Sequence, residues 1–207
     1  MGPSSASAPS KLEVPRRWPG STICCLGAGP SVTRADLARI ARVPVIAINS
    51  MYRVLPSAAV LYAADAKWWN WVDGAPDFSG LKFGLDQRIR WPGVTVLRTT
   101  GALGLETDPS GLRHGGGSGY QAINLAVHLG ASRIVLLGYD LQPGPTGADH
   151  FHPPHPDGTH PAYQAMRGPF SSLVEPLKAL GVDIVNCSPH TALSAFRLAS
   201  LHEVVSC

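Results

Sequence analysis

The amino-acid sequence predicts an α/β fold, an open and mostly parallel sheet covered by helices on both faces. Short apolar runs alternate with stretches of helical periodicity. The first runs each stop on a polar residue, as strands of a parallel sheet buried on both faces do. The links between them draw on 22 glycines and 19 prolines in 207 residues, which favours frequent turns over long helices.

Residues 1–20 lack periodicity and contain Pro15 and Pro19, so a disordered tail is expected ahead of a single domain over residues 21–207. Residues 21–26 form the first strand, which stops at Gly27-Ala28-Gly29-Pro30-Ser31. Ala35, Leu37, Ala38, Ile40 and Ala41 then recur at helical spacing behind Thr33, a suitable N-cap. Residues 43–48 read as a second strand ending at Asn49-Ser50, and residues 58–64 as a third ending at Asp65. Trp68, Trp69 and Trp71 follow, then short strands at 82–84 and 94–97. The segment 101–119 holds seven glycines and reads as loop. Helical spacing returns from Tyr120 to Gly130, and a strand over 134–138 leads to Asp140. Residues 142–161 are broken by Gly144, Pro145, Gly147, Pro153, Pro154 and Pro156, so an irregular lid loop is expected. A helix over 163–180, a strand over 182–185 and a frayed helix over 193–205 complete the chain. The architecture is Rossmann-like.

Several classes are excluded. Apolar residues make up 44% and charged residues only 15%, a composition that builds a core rather than a disordered chain. No apolar run approaches the roughly 18–20 residues that cross a bilayer. A net charge of +3 without a dense Lys/Arg stretch carries no nucleic-acid signal. Cys24, Cys25, Cys187 and Cys207 form no C-x-x-C pair, which argues against a zinc ribbon or a disulfide framework. The first ten residues lack the basic and apolar regions of a secretory signal, so a reducing cytoplasm is the expected compartment.

Ligands of open α/β sheets bind at the carboxyl ends of the strands, where the strand order switches. That rule gathers the Gly27–Ser31 turn, Asn49-Ser50, Asp65 and Gly138–Asp140 at one rim. The first turn suits an anion at a helix start. It is not the dinucleotide fingerprint, because Val32 stands where the third glycine belongs, and no Gly-Lys-Ser/Thr makes it a P-loop. Asn49, not an acidic residue, ends the second strand, which disfavours an NAD dehydrogenase. A tight turn without ligand is the plainer alternative. The second cluster, Gly115-Gly116-Gly117-Ser118-Gly119-Tyr120, offers backbone N–H groups and the Ser118 hydroxyl at another helix start, or is merely a flexible link. Two such clusters favour a nucleotide.

His150, His152, His155 and His160 lie within eleven residues, beside Asp149 and Asp157. A metal is conceivable with such groups, but H-x-H in a proline-rich loop fixes no geometry. A single histidine acting as general base or acid is the better reading, since a pKa near 6.5 suits proton transfer at neutral pH. Trp68, Trp69, Trp71 and Tyr62 surround Asp65 and Lys67, either as core or as an aromatic wall for a base or sugar, with Asp65 accepting from hydroxyls.

These blocks resemble a family. Gly27-Ala28-Gly29-Pro30-Ser31 resembles the G-x-G-P-S opening of bacterial sialyltransferases that use a CMP-activated sugar, with Ala28 where they commonly carry asparagine. Asn49 is similar to the asparagine ending their second strand. Ser118-Gly119 leading through Ala122–Gly130 to Asp140 resembles their S-G helix and I-x-L-x-G-x-D strand, and Asn186–Leu193 their C-x-P-x-S-x-L segment. The same blocks are similar to the wider superfamily of motility accessory factors and a pterin pyrophosphokinase-like group. Small phage or prophage members share the Trp-Trp segment and the G-G-x-S-G-Y block, and a phage-encoded chain would work in the bacterial host cytoplasm. The resemblance spans most of residues 21–205 and implies a glycosyltransferase A-type variant of the fold. It also implies a catalytic histidine in the loop after Asp140, with His152 ahead of His155.

The resulting expectation is a transferase using a nucleotide-activated donor, most simply a glycosyltransferase with a histidine general base. Gly27, Gly29, Ser31, Asn49, Asp65, Ser118 and Gly119 would bind the donor, and His152, His155 and Asp140 would act in catalysis. No bound metal and no tightly held cofactor are expected. The partners are a nucleotide or nucleotide-sugar, an unknown acceptor and, in one arrangement, a second copy of the chain. Two alternatives stand beside it. One is a Mg²⁺-dependent pyrophosphoryl or nucleotidyl transferase with Asp65 and Asp140 as metal carriers. The other is a non-catalytic protein that binds or sequesters a nucleotide or nucleotide-sugar.

Overall fold

The computed structural model describes residues 12–151 and 161–205. Its strands are β1 (Ser21–Leu26), β2 (Val45–Ile48), β3 (Val60–Tyr62), β4 (Leu81–Gly84), β5 (Val94–Val96), β6 (Arg98–Thr99), β7 (Gly111–Leu112), β8 (Ala131–Leu137), β9 (Asp183–Asn186) and β10 (Arg197–Leu198). The helices are α1 (Arg34–Ile40), α2 (Met51–Val54), α3 (Ala66–Trp71), α4 (Ser118–Leu129), α5 (Tyr163–Arg167), α6 (Val174–Ala179) and α7 (Leu201–Val204). The main sheet has eight strands in the order β10-β9-β8-β1-β2-β3-β4-β5, and every pair in it is parallel. The predicted open, parallel α/β fold is therefore present.

Strand alternation divides the core between two faces. Ile23 and Cys25 of β1 face the layer that contains α4, whereas Cys24 and Leu26 face the layer holding α1 and α3. All four are fully buried, and burial pushes the Cys25 thiol up to about 12. These cysteines pack as small apolar groups. Trp68 and Trp69 belong to the second face, meeting edge to face at 5.2 Å, and the Trp69 indole donates to the Ala63 carbonyl at 2.9 Å. They are core side chains, not a wall for a base.

Helix ends follow their local chemistry. Thr33 Oγ1 accepts from the Asp36 amide at 3.1 Å while Asp36 Oδ2 accepts from the Thr33 amide at 3.0 Å, a reciprocal capping box at the start of α1. Gly130 closes α4 with φ of 104°, a left-handed conformation that glycine adopts without strain.

Four stretches differ from the sequence reading. Residues 12–20 of the expected 1–20 tail run along the domain, and residues 1–11 lie outside the described residues. Val14 is buried and its amide donates to Pro109, and those of Trp18 and Gly20 donate to Leu129 and Gly130. The glycine-rich segment 101–119 contains β7, which pairs with β6 in a separate parallel ladder. The helix expected over 163–180 breaks into α5, a 3₁₀ stretch over Gly168–Leu173, and α6. Pro169 lacks the N–H a continuous helix needs there, whereas Pro176 sits in the first turn of α6, where that loss is harmless. The C-terminal helix shortens to α7, because Arg197–Leu198 pairs as β10 on the sheet edge and Ser200 starts the helix anew as its N-cap.

Asn124 in α4 holds the 101–119 segment in place. Its Oδ1 accepts from the Glu106 and Arg113 amides at 2.9 and 3.3 Å, and its Nδ2 donates to the Glu106 carbonyl at 2.9 Å. His128, one turn along, has Nε2 at 2.9 Å from the Gly111 carbonyl. Asn124 is fully buried, so Asn124→Ala leaves these groups unpaired and should cost about 1–3 kcal/mol, read by urea unfolding. Burial holds His128 below the ordinary histidine value, so the fold favours its neutral form. As pH falls below about 6.5, the unfolded chain takes up a proton before the folded chain does, and stability declines. His128→Gln should flatten the wild-type fall in urea midpoint between pH 7.5 and 5.5.

Candidate functional site

The sheet order switches at β1 and β8, since β2 to β5 lie on one side of β1 and β8 to β10 on the other. A cavity of about 140 Å³ opens at that point. Its floor is the closest approach of the two strand ends. The Gly27 amide donates to Leu137 at 2.8 Å and the Gly29 amide to Gly138 at 2.9 Å. A Cβ on Gly27 would stand 2.6 Å from the Gly138 carbonyl oxygen, and one on Gly29 would overlap the Asp140 carboxylate. These glycines are required by contact between backbones.

Asp140 lines this floor while its carboxylate is engaged from behind. The Ser31 hydroxyl donates to Oδ1 at 2.6 Å and the Ser31 amide to Oδ2 at 2.8 Å. The Asp140 carbonyl accepts from Ala192 at 2.7 Å. Burial raises the Asp140 carboxyl above the usual range, opposed by the Ser31 bonds. With the amides of Gly27, Gly29 and Ser31 bonded within the protein and α1 closed by its own capping box, the first glycine turn braces β1 against β8. Ser31 itself is not part of the cavity wall.

The second glycine cluster faces the cavity in a different state. Gly117, Ser118 and Gly119 line it, and α4 begins there with no side-chain cap. Gly115 and Gly116 have φ of 56° and 81°, a left-handed pair that turns the chain into the helix. Gly115 lies directly against the Tyr120 ring. A 12-residue helix presents roughly half a positive charge at this end, where the Tyr120 and Gln121 amides turn back to the Gly117 carbonyl at 3.1 and 3.3 Å and no side chain caps the first turn. The Ser118 hydroxyl accepts weakly from the Ala64 amide at 3.4 Å.

Asn49 also lines the cavity, with φ of 51° and its amide donating to the Tyr62 carbonyl at 2.9 Å. Asparagine tolerates this left-handed conformation better than most residues. Asp65 is exposed ahead of α3, makes no capping bond, and is not among the wall residues. Tyr139, Met166 and Phe170 form the apolar side; Phe170 stacks edge-on to Tyr120 and Tyr139 at 5.6 and 6.2 Å. A single helix over 163–180 gives no hint that Met166 and Phe170 belong to the site. The signal for them is the Gly168-Pro169 break, which ends α5 just after Met166 and puts Phe170 in the 3₁₀ stretch.

His150 is on the cavity wall, next to Phe151, whose amide donates to the Ala28 carbonyl at 2.8 Å. His152, His155 and His160, with residues 152–160 of the expected lid, lie outside the described residues. His114 accepts from the Gly116 amide through Nδ1 at 3.2 Å and so buttresses the glycine cluster. Asp140 and Asp149 are acidic wall residues, and no Lys or Arg lines the cavity among the described residues. Among those residues no three His, Cys, Asp or Glu side chains group as a metal site. No described helix is long and apolar enough to cross a membrane.

No protein-family model and no curated protein matches the chain. Two solved structures are similar in fold. The Maf glycosyltransferase of Magnetospirillum magneticum AMB-1 superposes with a TM-score of 0.63 at 17% identity, over 92% of this chain and 35% of that one. The chain thus spans about a third of that protein. The sialyltransferase CstII of Campylobacter jejuni, in complex with the substrate analogue cytidine-5'-monophosphate, superposes with a TM-score of 0.51 at 13% identity, over 87% and 86% of the two chains. At such identities the likeness establishes a shared fold.

Gly29→Ala should lower stability by about 1–3 kcal/mol, because the new methyl overlaps Asp140 in a packed floor. Gly168→Ala, where a Cβ meets nothing, should leave the thermal melt nearly unmoved.

Proposed function

We propose that the chain is a glycosyltransferase that takes a nucleotide-activated sugar at the switch-point cavity. The observation that carries this reading is that the uncapped start of α4 and His150 line one and the same cavity. Fold likeness to two glycosyltransferases supports it.

The charge balance of the wall favours a donor with a single phosphate. Helix N–H groups and a macrodipole of roughly half a charge match one negative charge, whereas a diphosphate would call for cations that the described wall lacks. The solved complex of the second neighbour holds a nucleoside monophosphate, which agrees with this class. The acceptor hydroxyl attacks the anomeric carbon, and the bond from that carbon to the phosphate oxygen breaks. The nucleoside monophosphate leaves with its charge held at α4, and the acceptor proton passes to a neutral histidine of the 142–161 loop. His150 stands on the wall, and His152 and His155 remain candidates for the same role. Asn49 would bond the nucleotide in the same cavity. Gly27, Gly29 and Asp140 would shape the floor, with Ser31 bracing the Asp140 carboxylate from outside the cavity and Asp65 at the outer rim.

A nucleotide and nucleotide-sugar panel screened by thermal shift, then by product analysis, tests the reading. Asn49→Gly removes the side chain and keeps the left-handed backbone available. It should weaken nucleotide binding at least about tenfold without loss of the fold, an effect of about 1.4 kcal/mol. Unchanged affinity would overturn the assignment of Asn49. Transfer should survive chelation by EDTA, whereas a Mg²⁺-dependent pyrophosphoryl transfer would not. Alanine at each of the four loop histidines should yield one variant that binds donor and does not turn it over. A bound donor returned intact after hours with every acceptor offered would favour the non-catalytic binder instead.

A further inference from the structure

His150 is held from both sides. Before it, the Tyr163 hydroxyl lies 2.8 Å from Asp149 Oδ1 and 3.3 Å from the Asp149 carbonyl oxygen, donating to both. After it, the Phe151 amide donates to Ala28 at 2.8 Å, and Phe151 packs against the core face built around Cys24 and Leu26. Asp149, His150 and Tyr163 all line the cavity. The chain before this point carries Gly144, Pro145 and Gly147, with φ of 79° at Gly147. Nothing helical or strand-like fixes it. We infer that Tyr163 and Asp149 are positioning residues: they clasp the loop where it enters the cavity and present the His150 imidazole to the acceptor.

A proton acceptor acts only within roughly 2.6–3.2 Å of the proton it takes, and loops hold such distances poorly unless neighbouring bonds fix them. The clasp supplies the fixing from α5, an element packed onto the 3₁₀ stretch that carries Phe170. Burial and the adjacent Asp149 carboxylate push the Tyr163 phenol well up, so it keeps its proton throughout the neutral range. That one proton is directed to Asp149, which distinguishes this role from a direct bond to a donor phosphate.

The inference rests on the proposed reaction for its purpose, but its first readout does not. In the full chain with ¹³C/¹⁵N-labelled histidine, the His150 ring signal is assigned by its loss in His150→Gln. Tyr163→Phe should move that signal toward the position of a solvent-exposed histidine. Asp149→Asn, whose amide oxygen still accepts from the phenol, should keep it in place. Asp149→Ala should follow Tyr163→Phe, and the double variant should be no worse than either single change, since both break one link. In turnover, Tyr163→Phe should lower kcat up to about 100-fold at unchanged donor KM. An unmoved ring signal in Tyr163→Phe, or strictly additive losses, would overturn the clasp. So would a raised donor KM with unchanged kcat, because Tyr163 would then act on the ligand directly. If no donor is turned over at all, the proposed reaction falls while the ring signal still decides the clasp.

Discussion

Two strand ends, β1 and β8, meet at backbone distance, and the rest of the site is arranged around that contact. The meeting requires Gly27 facing Gly138, with Gly29 against Asp140, because no side chain fits between them. A sheet whose order reverses at this pair must open a crevice above it. Asp140 and Ser31 then lock the crossing from the side, using a carboxylate that a ligand site would otherwise have claimed. The Ser188–Ala192 segment completes the bracing, with the Ser188 hydroxyl accepting from the Tyr139 amide and the Thr191 hydroxyl donating to the Tyr139 carbonyl.

This arrangement separates two roles that similar glycine-rich segments can play. The first turn spends its amides inside the protein and serves rigidity. The second, at α4, leaves its helix start without a side-chain cap and supplies the electrostatic field of the cavity. The two differ in the helix that each glycine run enters. One is short and carries its own Thr33–Asp36 cap; the other has twelve residues beginning Ser-Gly, with no side chain to close them.

Much of the fold was legible because buried strands declare themselves by composition. β1 is legible to the residue, and the ends of α1 and α4 follow from Thr33 and Gly130. The failures were tertiary. No local rule shows that Val14 and Trp18 will find the loop at Pro109 and the end of α4, or that Arg197–Leu198 will prefer a sheet edge to a helix. Gly27, Gly29, Asn49, Ser118, Gly119 and Asp140 all line one cavity, because strand ends and helix starts converge at the switch point. Asp65 satisfies the same rule yet stands off the wall. Its place one strand out from Asn49 is a matter of distance across the sheet, which periodicity does not encode. The sequence left the tryptophans open between core and ligand wall, because adjacent aromatic residues on a helix look alike whether they face inward or toward a ligand.

The three described cysteines carry a last consequence. Cys24 and Cys25 sit on the central strand and point into opposite layers, while Cys187 follows the end of β9; all three are buried. Burial raises each thiol, so none offers a reactive thiolate in the native state. Alkylation of Cys24 and Cys25 therefore requires the sheet to come apart from one side or the other. Comparing their labelling rates would time the detachment of the α4 layer against that of the α1 and α3 layer, giving the molecule a native clock for which half opens first.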